Sequence, residues 1–123
     1  MSDASKTLHY NDFLHRLAAQ LANGTPCCSI QGVSGAAPAL LIAEISQRLS
    51  RPILIVTPDQ AAADELTREL AFFHARSLAP FPSWDLTPFE AASPAPDISG
   101  ARLETLQRLL RGEPCMVVAA LPT

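Results

Sequence analysis

Lysine is almost absent from this chain: Lys6 is the single one in 123 residues, and nine basic against twelve acidic side chains leave a formal net charge of −3. Scattered arginines do not make the basic stripe that a nucleic-acid groove needs, so no direct nucleic-acid binding is expected. Aromatics are equally scarce, with one Trp and one Tyr, which excludes a stacking platform for single strands. No apolar run approaches a membrane span, and the stretch Met1 to Asn11 is polar without an apolar signal core, so the reading is cytoplasmic with no membrane partner. Three cysteines are an odd number without C-x-x-C spacing. Cys27, Cys28 and Cys115 sit in strand-like apolar runs and read as buried thiols of a reducing cytosol. Adjacent residues of a strand point to opposite faces, so a bridge between Cys27 and Cys28 is not expected. His9 and His15 have no partner at ligand spacing and read as surface residues, which leaves no metal site.

What is present is enough for one domain. With 48% hydrophobic and 17% charged residues the chain is no disordered tail, and 123 residues bury about two thirds of the surface the unfolded chain exposes. Asn11 and Asp12 offer a helix cap, after which Phe13, Leu14, Leu17 and Leu21 recur at helical spacing until Gly24. Thr25 to Gln31 reads as a first strand. Leu41, Ile42, Ile45 and Leu49 give an apolar face to a helix from about Pro38 to Ser50, and Ile53 to Val56 reads as a strand buried on both faces. Thr57-Pro58-Asp59-Gln60 then reads as a helix start with a capping hydroxyl, proline at the first position and a capping-box glutamine. That helix carries Ala63, Leu66, Leu70 and Phe73 inward to about His74. A short strand, Ser77 to Phe81, leads into a proline-rich stretch from Pro82 to Pro96. There Trp84, Pro88 and Phe89 cap the core, the favoured reading, or form a docking surface. A helix from Asp97 or Ser99 to Gly112 with Leu103, Leu106, Leu109 and Leu110 inward, and a strand from Cys115 to Leu121, complete an α/β pattern: a mostly parallel sheet flanked by helices.

The stretch Ile30-Gln31-Gly32-Val33-Ser34-Gly35-Ala36-Ala37-Pro38-Ala39 turns through two glycines into a helix. A working phosphate loop reads G-x-x-x-x-G-K-[ST], in which backbone amides cradle phosphate, a lysine reaches it and a hydroxyl holds magnesium. Gly32 fits the first glycine, while Ala37, Pro38 and Ala39 occupy the second glycine, lysine and hydroxyl positions. Gly35 lies inside the loop. Pro38 supplies neither an ammonium nor an N–H, yet suits the first turn of a helix. The pattern is a degenerate phosphate loop that binds no cofactor, and the same spacing also fits an ordinary strand-to-helix turn.

Several segments in order carry a resemblance: Gly32-Val33-Ser34-Gly35, Pro52 to Asp59, Phe81-Pro82-Ser83-Trp84-Asp85, Pro88-Phe89-Glu90, Ser93-Pro94, Asp97-Ile98-Ser99 with Arg102-Leu103, and Val117-Val118-Ala119. Together they resemble the N-terminal region of the bacterial transcription-repair coupling factors, from about Leu14 onward. That region is similar to the first helicase-like subdomain of the excision-repair protein UvrB, which keeps a working phosphate loop. In UvrB the segment matching Phe81 to Ser99 holds a tyrosine-rich hairpin that grips damaged DNA; here it is shorter, with one Trp and no Tyr. The resemblance implies a helicase-like, UvrB-like subdomain, residues 1–123 being the first half of a split domain that stops after Leu121-Pro122-Thr123. It implies as partners the remaining domains of the coupling factor. RNA polymerase and UvrA are engaged only through the full-length protein, an ATP-dependent DNA translocase.

The function expected is that of a non-catalytic scaffold, with no catalytic residue. Two alternatives stand beside it. An active but atypical nucleotide hydrolase would need a cation near the helix start, where Lys6, Arg48 and Arg51 are all badly placed, and Asp59 and Asp85 read as a helix-start acid and a turn residue rather than a magnesium box. A free-standing interaction module would use Trp84 and Phe89 as anchors.

Overall fold

The computed structural model describes residues 2–73, 77–84 and 95–121, and for residues 2–8 the backbone alone. Among the described residues lie α1 (Ser2–Ala22), α2 (Ala37–Arg48), β1 (Ile53–Thr57), α3 (Gln60–Phe72), β2 (Leu78–Phe81), α4 (Pro96–Leu110) and β3 (Met116–Ala120). The strands form one parallel sheet in the order β1-β3-β2, with Ile53 and Leu78 both in register with Met116. The α/β class and the parallel sheet expected from the sequence are therefore observed.

The core grows from small residues at the head of α2. Ala39 and Ala43 are fully covered and let that helix approach the sheet, where they pack with Ala63 and Leu70 of α3 and Met116 and Val118 of β3. Ile53 and Ile55 point into the same cluster. The other stripe of α2, Leu41 and Ile45 with Leu49 beyond its end, packs on Leu14, Leu17 and Ala18 of α1. On the opposite face of the sheet, Ala79, Cys115 and Val117 are buried with Leu109 and Phe81 against them.

Several expectations need correction. α1 begins at Ser2, because nothing before Asn23 breaks a helix; Asp12 does not cap but pairs with Arg16 one turn on, at 2.7 Å. Phe13 is exposed, outside the stripe. Residues 25–31 form no strand: they are irregular and exposed, Cys27 and Cys28 included, and only Cys115 is buried. Pro26 offers no N–H to a ladder, Gly24 and Gly32 bracket the segment at positive φ, and no described strand edge lies against it. β1 is covered on one face only, leaving Leu54 66% and Val56 53% exposed, because the cluster on the opposite face gathers on β2 and β3 and includes no residue of β1.

At the start of α3 the cap is Asp59, whose carboxylate accepts from Ala62 N at 2.8 Å, while Thr57 ends β1 and its hydroxyl donates to the Asp59 carbonyl. Phe72 ends α3, and the expected terminus His74 lies outside the described residues. On α4 three of the four leucines expected inward face out: Leu103, Leu106 and Leu110 are exposed, Leu110 at 90%, whereas Leu109 packs inward as expected and Thr105 is fully buried.

Leu70, with no exposed surface, is expected to cost about 2–5 kcal/mol on truncation to Ala. Phe72→Ala, on the exposed side of the same helix, is expected to cost under about 0.5 kcal/mol. Urea unfolding followed by circular dichroism separates the two.

Candidate functional site

The turn ahead of α2 is held by its own backbone. Ala37 N donates to Ser34 O at 3.2 Å and Leu40 N to Ala36 O at 3.1 Å. Gly32 at φ 78° and Gly35 at φ 60° take left-handed conformations, which is where an L side chain is strained. A Cβ built on either meets nothing within 4 Å, so the glycines answer to the bend of the chain and not to a close approach. Pro38 stands in the first helical turn as expected, and Ala36, the N-cap, offers no side-chain bond to the amides there.

Beside this turn lies an open groove of about 480 Å³, lined by Gly35, Ala36 and Pro38, by Thr57 and Pro58 at the end of β1, and by Ala62, Glu65, Leu66 and Glu69 of α3. The phosphate-loop positions divide around it: Gly35 and Pro38 line it, Gly32 and Ala37 are exposed elsewhere, and Ala39 is sealed in the core. A hydroxyl at position 39 would thus face the hydrophobic cluster. The charge of the lining is the reverse of what a polyphosphate requires, since two carboxylates and no cationic side chain line the groove. Arg48 is occupied by Glu44 at 2.8 Å and Arg51 donates to Leu21 O at 2.7 Å, both at the far end of α2. Among the described residues no group of three or more His, Cys, Asp or Glu could hold a metal.

A second constellation surrounds Trp84, which is 50% exposed. The Arg102 guanidinium lies over the Phe81 ring at 3.9 Å and the Trp84 ring at 4.3 Å, and donates to Pro82 O at 2.7 Å. From the other side Gln60 of α3 accepts from Ser83 N at 3.1 Å and Ser83 Oγ at 2.9 Å. Residues 81–84 are clamped between two helices. Pro88 and Phe89, the other expected anchors, lie outside the described residues, as does Asp85.

No protein-family model matches the chain. Curated proteins do: it is 35% identical over 77 residues, 63% of its length, to the transcription-repair-coupling factor of Escherichia coli (strain K12). That of Mycobacterium tuberculosis (strain CDC 1551 / Oshkosh) is 37% identical over 90 residues, 73% of the chain, and that of Bacillus subtilis (strain 168) 29% over 91 residues. This chain is a sequence relative of the transcription-repair-coupling factors. It spans 7% of the length of the Escherichia coli coupling factor and 8% of that of Bacillus subtilis. The likeness expected from the ordered segments is thereby shown. Glu65 and Glu69 were not singled out in the sequence; their four-residue spacing with Ala62 and Leu66 marks one face of a helix, but nothing in the chain says what that face meets. Arg102 was noted only within the coupling-factor-like segment, and its three-residue spacing with Thr105 and Arg108 was the available signal.

Replacing Arg102 by Ala is expected to shift the emission of the single Trp84 to the red and to cost about 1–3 kcal/mol, from a charged hydrogen bond and two ring contacts. Arg102→Lys should restore little, because an ammonium lacks the planar face. Fluorescence spectra and denaturant unfolding of both variants check this.

Proposed function

We propose that this chain is a non-catalytic, UvrB-like scaffold within a transcription-repair coupling factor, binding no nucleotide itself. In that reading other parts of the whole protein drive the DNA translocase, displace stalled RNA polymerase and recruit UvrA, in the cytoplasm. The observation that supports it is the groove at the head of α2, where Pro38 holds the position the pattern gives to a lysine and Glu65 and Glu69 of α3 share the lining. An anion there meets like charge and loses the charge-assisted bond, worth about 1.5–3 kcal/mol, that a lysine would give. The atypical-hydrolase alternative finds no support in Arg48 or Arg51, each engaged at the other end of the helix.

The first-half-of-a-split-domain reading draws support from β1. Its free edge is aliphatic, with no charge, proline or bulge to discourage pairing, the devices by which a permanent edge is normally protected. Leu54 and Val56 on the sheet, and Leu103, Leu106 and Leu110 on α4, leave apolar surface that further polypeptide would cover. No helix among the described residues is long and apolar enough to cross a membrane.

Purified chain is expected to keep its Tm when ATP and magnesium are added. A ligand at a hundred times its dissociation constant adds about 2.7 kcal/mol, a shift of several degrees that differential scanning calorimetry would register, and such a shift would overturn the scaffold reading. Sedimentation velocity is expected to show self-association that rises with concentration and is suppressed in the Leu54→Glu/Val56→Lys variant. A wild-type chain that stays monomeric throughout argues against an edge built to be covered.

A further inference from the structure

We infer that the outward face of α4 is a homodimer contact, packing antiparallel on α4 of a second copy of this chain. The face is separate from the β1 edge, and the inference does not depend on the scaffold reading. With 3.6 residues per helical turn, Leu103 and Leu110 form a ridge opposite the buried Thr105, with Leu106 on one flank of it and Glu104 and Arg111 on the other. Arg111 is the C-cap, but its φ of −77° and ψ of −4° continue the helical spiral. All three leucines are exposed, and an amphipathic helix normally turns such a stripe toward a partner. Neither Glu104 nor Arg111 is in an ion pair among the described residues.

The order of these residues is self-complementary, and that names the occupant. A two-fold contact has to match one patch to itself. When two copies of α4 lie face to face and antiparallel, with the axis midway between Leu103 and Leu110, Leu103 of each copy abuts Leu110 of the other and like flanks meet. The apolar flank then sets Leu106 against Leu106 of the second copy. On the charged flank Glu104 comes within two residues, about 3 Å along the helix axis, of Arg111 of the second copy, and the symmetry makes that pair twice. Only this sense of packing joins opposite charges, since a parallel pair would set Glu104 on Glu104 and Arg111 on Arg111. Rim charges of this kind choose the orientation and the leucines supply the burial. One helix pair is small for an interface, so the dimer is weak, with a dissociation constant on the order of 100 μM.

The test is sedimentation velocity of the whole chain from about 10 to about 500 μM, a range that spans that constant. Leu54→Glu/Val56→Lys is carried in every sample, so that association through β1 does not enter. What association this parent retains is expected to stop at a dimer and to be lost in Leu110→Lys. Glu104→Arg alone, or Arg111→Glu alone, turns both ion pairs into like-charge contacts and is expected to weaken the dimer about tenfold. Association returns in Glu104→Arg/Arg111→Glu and when the two single variants are mixed, because opposite charges then face each other again; the return also verifies that both variants are folded. A parent that stays monomeric throughout, single variants that associate as tightly as the parent, or a mixture that regains nothing overturns the proposal.

Discussion

Three donors at three-residue spacing on α4 fix how this molecule closes one side of its sheet. Arg102 donates to Pro82 O, Thr105 to Pro80 O at 2.7 Å and Arg108 to Leu78 O. Those carbonyls belong to alternate residues and point away from β3, since Ser77 O is the one that accepts from Met116 N. The helix therefore supplies, from side chains, what a fourth strand would supply from its backbone. Buried carbonyls left without a partner would cost more than the bonds return, so α4 turns its polar stripe to the sheet edge and Leu103, Leu106 and Leu110 outward. Arg108 is held in turn by Glu113 and Ser77, and Arg102 extends the same row to the rings of Phe81 and Trp84.

The two edges of the sheet thus differ in kind. β2 is finished by side chains, whereas β1 presents an unguarded row of backbone groups and two exposed aliphatic residues. The stretch ahead of α2 begins and ends beside residues that flank β1. Arg51, just before β1, holds the end of α1 through Leu21 O, and Gly35 and Ala36 reach the groove beside Thr57 at the far end of β1. Residues 25–31, between these two points, join no described strand. A short, proline-containing stretch gains a strand conformation only where a ladder is available.

The groove shows how packing and charge separate the roles of neighbouring residues. Ala39 serves the core because a larger or polar side chain would hold α2 off the sheet. Pro38, one position earlier, is half-buried and faces the groove. The rim acids come from α3, a different element, and meet the turn because Ala63 and Leu70 on the neighbouring stripe of that helix are buried against Ala39 and Met116.

Local chemistry was enough to read α2, α3 and the three strands: aliphatic runs marked β1 and β3, helical periodicity marked the face with Ala63, Leu66 and Leu70, and Pro38 marked a helix start. The likeness to the coupling factors was legible too, because ordered short motifs survive without any knowledge of contacts. The orientation of α4 was not, since the hydrophobic pattern of Leu103, Leu106 and Leu110 outvotes Thr105 unless the carbonyls of β2 are known to need donors. Nor was the fate of Thr25 to Gln31 or the exposure of Cys27 and Cys28, because a strand exists only through its neighbour. Sequence by itself determined most of the segments that fold and that positions 38 and 39 carry neither a lysine nor a hydroxyl. Tertiary structure alone decided which sheet edge is closed and that two glutamates of α3 line the groove beside the turn, because both depend on groups far apart in the chain meeting in space.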